Sequence, residues 1–395
     1  MSGPLHGLRV LDLSRIMAGP WAGQILADLG AEVIKIERPD VGDDTRSWGP
    51  PFVSHSRSGT RSSGYFLSVN RGKRSVAVDL ATPEGQETVR AIADRCDILI
   101  ENFKVDTLQR FGLDYDTLST TNPRLIYCSI TGFGQTGPRR SQPAYDFMIQ
   151  AMGGLMSITG RADGEAGGGP QKVGLPIVDI MTGMYASVAI LAALEARHRT
   201  GKGDCIDLAM LDVHAAFLAN QAMNYIVTGS APRRTGNRHP NIQPQNVYAC
   251  SEGHLALAVG NDMQFRALCQ VLGEADLADD PRFSSNAGRV ENLPALEKIL
   301  ERKFAEASAS EWDERLQSAG VPAGRINSIA ESLNDPQIIH RAMVQDLPRP
   351  DGDTSPAVVS PMKFRNSPLV FDRAPPDLGA DTAAVLSELG LGGDQ

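Results

Sequence analysis

The sequence lacks the features that mark secreted, metal-binding and redox proteins. Its 395 residues contain five cysteines, an odd number, and no CxxC pair. The seven histidines form no HxxxH pair. This pattern indicates reduced thiols in a cytoplasmic protein, and it argues against disulfides and against a metal site.

Long apolar runs and an excess of basic residues are missing as well. The longest uncharged apolar run, Ile180–Leu194, is shorter than the ~20 residues that span a bilayer, so it predicts a buried helix and no membrane association. The amino-terminal segment MSGPLHGLRVLDL does not resemble a signal peptide. The formal net charge of −9 argues against a nucleic-acid partner, although a few local arginines could still bind an anionic small molecule.

The composition is that of an ordinary globular protein. Hydrophobic residues make up 42% and charged residues 22% of the chain. The length exceeds that of one compact domain, so two domains are expected, with cores that need no disulfide or metal to hold them.

The first half of the chain predicts an α/β fold. Gly7–Leu13 and Ala31–Glu37 are short apolar runs typical of strands, and Trp21–Leu29 between them has helical spacing, which makes a β-α-β unit. Further strands are predicted at Ser75–Asp79, Asp97–Ile100, Leu125–Ile130 and Cys205–Leu208. Further helices are predicted at Pro83–Arg95, Val105–Phe111, Asp146–Ser157, Asp179–Arg197 and Leu211–Val227. The alternation indicates an open, doubly wound parallel sheet.

A polar, proline-containing stretch, GSAPRRTGNRHPNIQPQ, marks a domain boundary. We assign 1–228 to the first part of a large domain, 229–330 to a small α+β domain, and 331–395 to a return into the large domain. The small domain is predicted to contain a hairpin, Asn246–Cys250 with His254–Val259, and three helices. These helices are Met263–Leu272, Val290–Phe304 and Ser310–Ala319. A last helix is expected at Thr382–Glu388.

The first β-α turn, SRIMAGPWAG, has only Gly19 and Gly23 where a dinucleotide-binding turn would have GxGxxG. Glu37 ends the second strand, where a ribose-binding acid would lie, so a nicotinamide enzyme is an alternative that the missing glycines weaken.

Arg38 follows Glu37 at the end of the second predicted strand. This arginine could bind a phosphate or could pair at the surface with Glu37 or Asp40, and the spacing favours neither.

Other charged residues have simple structural interpretations when taken alone. The basic turn Asn70–Arg74 is more typical of a solvated cluster than of a phosphate site. Asp146 and Asp179 each open a predicted helix and are most simply N-caps. Asp179 also follows a glycine-rich loop, which would suit a reactive carboxylate at the positive end of a helix. His239 lies in the linker, where a lone histidine is usually solvated.

Taken together and in order, the motifs resemble the family III CoA-transferases of the CaiB/BaiF type. The similar segments are RVLDLSRIMAGP, GAEVIKIERPDVGD, VNRGKRSVAVDL, CDILIENF, NPRLIYCSITGFGQTGP, AYDFMIQAMGG, GLPIVDIMTGMYAS, TGKGDCIDLAM, PMKF and DTAAVLSELG. They are collinear and cover nearly the whole chain.

The resemblance implies a Rossmann-like domain built from both chain ends, an inserted small domain, and a homodimer whose two chains interlock like linked rings. It implies that Asp179 is the catalytic nucleophile and forms aspartyl anhydride and aspartyl-CoA intermediates. Coenzyme A would enter as a thioester substrate, with no permanently bound cofactor. The implied CoA contacts are Ile16, Met17, Ala18, Arg38, Val78, Asp79, Asn102, Phe103, Arg110, Phe133, Gly134 and Arg139. Tyr145 and His239 are candidate substrate contacts.

The resemblance also bears on the substrate. Formyl-CoA transferases have a run of glycines in a small-domain loop, whereas this chain has TGNRHPNIQPQNVY there. This favours short dicarboxylates, such as succinyl-CoA with a second diacid, over oxalate and formate. A 2-methylacyl-CoA racemase of the same fold is the main alternative. Racemases of this fold have a histidine where this chain has Tyr145, and a phenol with an ordinary pKa near ~10 is a poor base at neutral pH. A CoA-binding protein without chemistry is a further alternative.

Overall fold

A computed structural model describes residues 3–391 of the chain. The chain forms two compact units. The first comprises the described parts of 1–154 and 336–395 together with Val173–Thr228, and the second comprises Leu155–Lys172 and Gly229–Asp335. The segment 155–172, which we predicted to lie in the large domain, belongs to the second unit. The outermost residues of the predicted domains, 1–2 and 392–395, lie outside the described residues.

Strands and helices alternate through the first half of the chain, and helices predominate in the second half. In chain order, the strands are β1 Arg9–Asp12, β2 Glu32–Glu37, β3 Phe52–Ser54, β4 Arg61–Ser63, β5 Lys73–Ala77, β6 Ile98–Glu101, β7 Ile126–Thr131, β8 Asp204–Ala209, β9 Gln245–Ala249, β10 His254–Ala258, β11 Ala323–Arg325, β12 Val344–Pro348 and β13 Thr354–Val358. The helices are α1 Ala18–Asp28, α2 Gly64–Val69, α3 Pro83–Ala93, α4 Tyr115–Thr121, α5 Asp146–Met152, α6 Leu155–Ile158, α7 Ile177–Thr200, α8 Met210–Phe217, α9 Ala219–Thr228, α10 Asp262–Val271, α11 Asn286–Glu291, α12 Leu293–Phe304, α13 Ala309–Ser318, α14 Ile329–Leu333, α15 Pro336–His340 and α16 Thr382–Glu388.

The first unit is built on a parallel six-stranded sheet in the order β5-β2-β1-β6-β7-β8. The predicted α/β class with an open parallel sheet is confirmed. From β1 the chain first runs outward through β2 to β5, and then returns to place β6, β7 and β8 on the other side of β1. The strand order therefore reverses between β1 and β6, and ligands of such sheets bind at the carboxyl ends of the strands at this point.

The carboxyl-terminal tail covers one edge of this sheet. The backbone N–H groups of Ser75 and Ala77 on β5 donate to Asp381 Oδ2 and Thr382 Oγ1, both at 3.0 Å. An uncovered edge strand would leave such donors open to pairing with another chain. The chain end from Pro336 therefore contributes to the first unit, and α16 has the bounds that the sequence predicted.

Three predicted helices are each divided in the structure. In one of them, Val290–Phe304, the first two residues belong to α11 and α12 begins at Leu293. The predicted helix Leu211–Val227 is α8 and α9, because the backbone turns at Ala219, which has a φ of +46°. The predicted helix Asp146–Ser157 is α5 and α6, separated by Gly153 and Gly154. Gly154 has a φ of +101°, a conformation that favours glycine. Within Val105–Phe111, the regular structure is a 3₁₀ turn at Leu108–Phe111.

The interpretation of Asn70–Arg74 as a solvated turn was wrong. Lys73 is fully buried, and its Nζ lies 2.8 Å from Asp12 Oδ2 on β1, which is separated from β5 by β2. Arg71 is buried against Asp28, and Arg74 pairs with Glu388 of α16. These partners lie far away in sequence, so a local charge pattern could not reveal them.

The second unit has its own core. Strands β9 and β10 form the predicted antiparallel hairpin, and β11 pairs with β10 to complete a three-stranded sheet. Buried apolar side chains of this sheet and of α10, α12 and α13 fill the core, among them Tyr248, Phe265, Phe304, Trp312 and Leu316. A capping box between Ser308 and Glu311 begins α13.

Helix α7 is the long apolar helix that the sequence predicted, but only one of its faces is buried. Ala186 and Ile190 are fully buried, whereas Val188 is 60% exposed. Among the residues that the structure describes, this is one helix long and apolar enough to span a membrane. Its buried face packs in the core of the first unit beside α1.

A glycine allows α7 to approach α1 closely. A Cβ atom at Gly183 would lie 2.7 Å from the backbone oxygen of Ala18 and 2.9 Å from Trp21 Cδ1. A backbone atom cannot move aside as a flexible side chain can. Any larger residue at Gly183 must therefore push the two helices apart.

We predict that Gly183→Ala lowers the free energy of unfolding by about 1–3 kcal/mol, because the added methyl group overpacks a backbone contact. Urea denaturation measures this. Gly324→Ala is the matched control, since nothing lies within 4 Å of a Cβ there. We expect no loss of stability in the control. A Gly183→Ala protein as stable as the wild type would contradict this close approach of the two helices.

Candidate functional site

A cavity of about 330 Å³ lies at the carboxyl ends of the strands where the sheet order reverses. The residues after β1 and β6 form two of its walls, and residues after β7 and β8 contribute as well. Among the predicted site residues, it is lined by Ile16, Met17, Ala18, Asn102, Phe103, Tyr145 and Asp179. The structure thus brings together the predicted nucleophile and residues from distant parts of the chain.

Asp179 is the third residue of α7, which begins at Ile177. Its side chain is half-buried and borders the cavity. Within residues 3–391, no hydrogen bond reaches its carboxylate. Burial, together with the negative charge of Asp146, raises the pKa of Asp179 to about 7. The group is therefore an unpaired carboxylate held more basic than an ordinary aspartate, which is the state expected of a nucleophile.

Neither aspartate is the N-cap of its own helix, so both N-cap interpretations were wrong. The N-cap of α7 is Pro176, and the N-cap of α5 is Tyr145. Instead, Asp146 caps the other helix. Its Oδ1 accepts from the backbone N–H of Val178 at 2.7 Å and from that of Asp179 at 3.3 Å. This capping contact joins residues 32 and 33 positions apart, which local sequence patterns do not show.

The turn between β1 and α1 is held in a strained conformation. Ile16 has a φ of +72°, which is rare for a β-branched residue. Its N–H donates to the carboxylate of Asp43. The side chain of Asn102 both accepts from Arg15 N and donates to Arg15 O, each at 2.8 Å. These contacts fix the turn and present the start of α1 to the cavity.

Buried charges lie beneath this turn. Lys35 Nζ is 2.9 Å from Asp43 Oδ2, and both side chains are fully buried. Although burial alone would raise the pKa of Asp43, the Lys35 ammonium holds it well below its usual range. Burial lowers the pKa of Lys73 to about 8, despite the nearby carboxylate of Asp12. Removing one member of such a pair leaves an unpaired buried charge, so the network fixes the local structure.

A second cavity of about 260 Å³ lies beside β2 and β5. Arg38, Val78, Asp79 and Phe103 line it, and Phe103 also borders the first cavity. The side chain of Arg38 is exposed to solvent at this cavity, and Glu37 is not its partner.

The carboxylate of Glu37 is instead bonded to Arg46 and to Ser75, so it is not free to hold a ribose. This removes the residue on which a nicotinamide site would depend. It also removes one of the two surface partners that we considered for Arg38.

The remaining predicted contacts are not among the residues that line these two cavities. They are Arg110, Phe133, Gly134, Arg139 and His239. Arg139 lies 6.0 Å from the ring centroid of Phe133. His239 belongs to the second unit, where its Nδ1 accepts from the N–H groups of Asn241 and Ile242 at 3.1 Å. The structure therefore shows a local, loop-closing contact for His239.

Several residues that line the first cavity were missed by the sequence analysis. They are Arg15, Lys104, Gly132, Arg140 and Met210. Four of them lie within three residues of the carboxyl end of a parallel strand, and the rule that ligands bind at these ends could have identified them. Arg140 follows β7 after a longer loop and carries no comparable signal.

Comparison with known proteins identifies the family. The profile described as "CoA-transferase family III" matches residues 5–382. A succinate–glutarate CoA-transferase of Agrobacterium fabrum is 49% identical over 391 residues, which cover 98% of this chain and 96% of that protein. A succinyl-CoA:glutarate CoA-transferase of Homo sapiens is 39% identical over 386 residues, covering 98% and 86% of the two chains.

A solved structure supports the same assignment. The crystal structure of a CaiB/BaiF family protein from Brucella suis superposes with a TM-score of 0.88 at 48% identity, covering 98% of this chain and 100% of that one. The profile match spans nearly the whole chain and includes the turn after β1 and the helix that carries Asp179. The chain therefore belongs to CoA-transferase family III, and it is a CoA-transferase.

Proposed function

We propose that this enzyme moves CoA from succinyl-CoA to a second short dicarboxylate such as glutarate, with Asp179 as the covalent nucleophile. The observation that carries the proposal is the unpaired, half-buried Asp179 carboxylate at the cavity where the sheet order reverses. Relatives that match almost end to end carry the names of succinate–glutarate transferases. The absence of a glycine run in TGNRHPNIQPQNVY also favours this branch.

The first half of the reaction conserves the free energy of the thioester. The Asp179 carboxylate attacks the acyl carbonyl of succinyl-CoA, forms an anhydride and releases the CoA thiolate. The thiolate then attacks the aspartyl carbonyl, which gives an aspartyl-CoA thioester and frees succinate. Succinate leaves with one oxygen atom that had belonged to Asp179.

The second half reverses these steps with the new acid. The acceptor carboxylate attacks the aspartyl thioester, forms a second anhydride and releases the thiolate. The thiolate attacks the acceptor's carbonyl, which gives the product thioester and restores the Asp179 carboxylate with one oxygen from the acceptor. No net oxidation or hydrolysis occurs, provided that water is kept from the activated carbonyls.

Each attack places negative charge on a carbonyl oxygen. The first N–H groups of a helix have no partner within the helix, and α1 begins at the wall of the cavity. We assign the stabilisation of this charge to the free N–H groups at the start of α1, where Met17 and Ala18 line the cavity beside the strained turn at Ile16.

The two cavities suggest how CoA lies. Arg38, exposed in the second cavity and not bonded to Glu37, suits a phosphate at the nucleotide end. Phe103 borders both cavities, so it would lie beside the part of CoA that joins the nucleotide end to the thioester. The thioester would then reach Asp179 in the first cavity.

A racemase would need two acid–base groups around the substrate carbon, and Tyr145 occupies the position of the histidine that such enzymes use.

The exposed face of α7 supports the homodimer implied by the resemblance. Large apolar side chains are exposed on α7 and α9, namely Met184, Tyr185, Val188, Leu191, Met223, Tyr225, Ile226 and Val227. Exposed apolar side chains of this size are typical of a surface that another chain covers. A second copy of this chain, interlocked with the first, is the occupant that we propose.

We predict that the wild-type enzyme converts succinyl-CoA and glutarate to glutaryl-CoA and succinate, and that Asp179→Ala loses this activity while still binding CoA. Mass spectrometry of the CoA esters measures transfer, and calorimetry measures CoA binding. Quenching the wild type with hydroxylamine during turnover should leave a hydroxamate at Asp179. Substantial transfer by Asp179→Ala would exclude Asp179 as the nucleophile.

We predict that Arg38→Ala raises the KM for CoA thioesters roughly tenfold or more, because a lost charge-assisted hydrogen bond costs about 1.5–3 kcal/mol. Arg124→Ala, at the opposite end of the sheet strands, is the matched control and should leave KM unchanged. If dephospho-CoA and CoA thioesters behave alike in both the wild type and Arg38→Ala, Arg38 does not bind the 3′-phosphate.

We predict that the enzyme stays dimeric on dilution to nanomolar concentration, because interlocked chains cannot separate without unfolding. Sedimentation velocity with fluorescence detection measures the mass of the particle. A monomer of native secondary structure at any concentration would contradict the interlocked arrangement.

A further inference from the structure

Every backbone N–H group in the first turn of α7 already has a partner other than the Asp179 side chain. Ile177 N donates to Leu175 O, and Ile180 N donates to Pro176 O. The N–H groups of Val178 and Asp179 both donate to Asp146 Oδ1. In most helices such N–H groups are the donors that an acidic residue of the first turn accepts.

The residue before the helix removes one further donor. Asp179 is the third residue of α7, the position from which a carboxylate normally reaches back to the N–H of the N-cap residue. Here the N-cap is Pro176, which has no N–H. The usual partner of an acidic residue at this position is therefore missing.

Asp146 is itself held firmly. Its Oδ2 accepts from Gln150 Nε2 at 2.6 Å, and Gln150 is fully buried. Gln150 Oε1 in turn accepts from Val173 N at 2.9 Å, in the segment that leads into α7. One carboxylate, fixed by α5, thus holds both the helix start and the loop before it.

We propose that Asp146 and Pro176 are positioning residues that deny the Asp179 carboxylate the hydrogen-bond donors of its own helix. This inference rests on the proposed nucleophilic role of Asp179. An unpaired carboxylate attacks a thioester without first giving up hydrogen bonds. Acylation also converts the anion into a neutral anhydride or thioester, which relieves its repulsion from Asp146. The arrangement therefore favours formation of the covalent intermediates.

The effect should appear in the pH dependence of acylation. Burial and the Asp146 charge raise the pKa of Asp179 to about 7, and only its carboxylate form is a nucleophile. The acylation rate should therefore fall as the pH drops through this value. Removing the charge of Asp146 should lower the pKa of Asp179, so the decrease in acylation rate should begin at a lower pH. The maximal acylation rate at high pH should also decrease.

The other titratable groups near the two aspartates do not account for such a shift. Tyr65 of α2 has its pKa raised to about 12 by burial and by these aspartates, so it stays neutral. His214 of α8 is buried, and burial lowers its pKa. The cations that line the cavity are Arg15, which pairs with Asp44, Arg140, which pairs with Asp106, and Lys104. The variants tested below leave these three cations unchanged, so the cations do not produce a difference between the pH profiles.

The test is the rate of hydroxamate formation at Asp179 from succinyl-CoA and hydroxylamine, measured in a single turnover as a function of pH. Asp146→Asn keeps an oxygen that accepts the two N–H groups but removes the charge. In the pH profile of this variant, we expect the acidic limb to lie about one pH unit lower than in the wild type. The maximal rate on the high-pH plateau should be several-fold smaller. Pro176→Ala restores a donor at the N-cap and should move the limb in the same direction while Asp146 is intact.

Asp114→Asn is the matched control, because Asp114 caps α4 through hydrogen bonds that are exposed to solvent. Its pH profile should equal that of the wild type. If Asp146→Asn and Pro176→Ala both keep the wild-type limb, the proposal fails, even if their melting temperatures drop. If no hydroxamate forms at Asp179 in the wild type, the nucleophilic role itself fails, so the two failures are distinguishable.

Discussion

The close contact between α1 and α7 at Gly183 is the constraint on which the site depends. A side chain there would meet the backbone oxygen of Ala18, so the two helices approach only because residue 183 has none. Asp179 lies one turn before Gly183 and Met17 lies at the start of α1, so the contact places both helix starts at the same cavity. The proposed nucleophile and the N–H groups that we assign to the oxyanion are therefore positioned by a single packing contact.

Charge is arranged around this contact in two different ways. Beneath the turn after β1, carboxylates and ammonium groups are paired and fully buried, as for Asp43 with Lys35. Such pairs contribute little net stability, but they tolerate only one arrangement of the turn and so keep Ile16 in its strained conformation. At the cavity the opposite holds, because Asp179 faces another carboxylate and, among the described residues, no cation forms an ion pair with it. The protein thus fixes the conformation of the scaffold with ion pairs, whereas Asp179 has none among the described residues.

The sequence predicted the parallel strands well, because their runs of branched apolar residues are local signals. It also predicted α16 to the residue. The family resemblance implied contacts after β1 and β6 that line the first cavity, but it did not include Arg15 or Lys104. The sequence-based predictions failed where a structural feature depends on residues that are distant in the sequence. The buried pairing of Lys73 with Asp12 joins residues that are distant in the chain. Asp146 is a further example, because the helix that its side chain caps, α7, begins about 30 residues later in the chain. The family resemblance implies the role of Asp179, but no local pattern shows what keeps its carboxylate unpaired.

The most direct test of a covalent path through Asp179 is to follow oxygen. In one turnover with succinyl-CoA and glutarate labelled with ¹⁸O in its carboxylates, the enzyme should regain its carboxylate with one oxygen from glutarate. Mass spectrometry of the peptide that contains Asp179 should then show one ¹⁸O atom, located at that residue by fragmentation. If glutaryl-CoA forms but the peptide stays unlabelled, the acceptor attacks the thioester directly, and Asp179 is not the nucleophile.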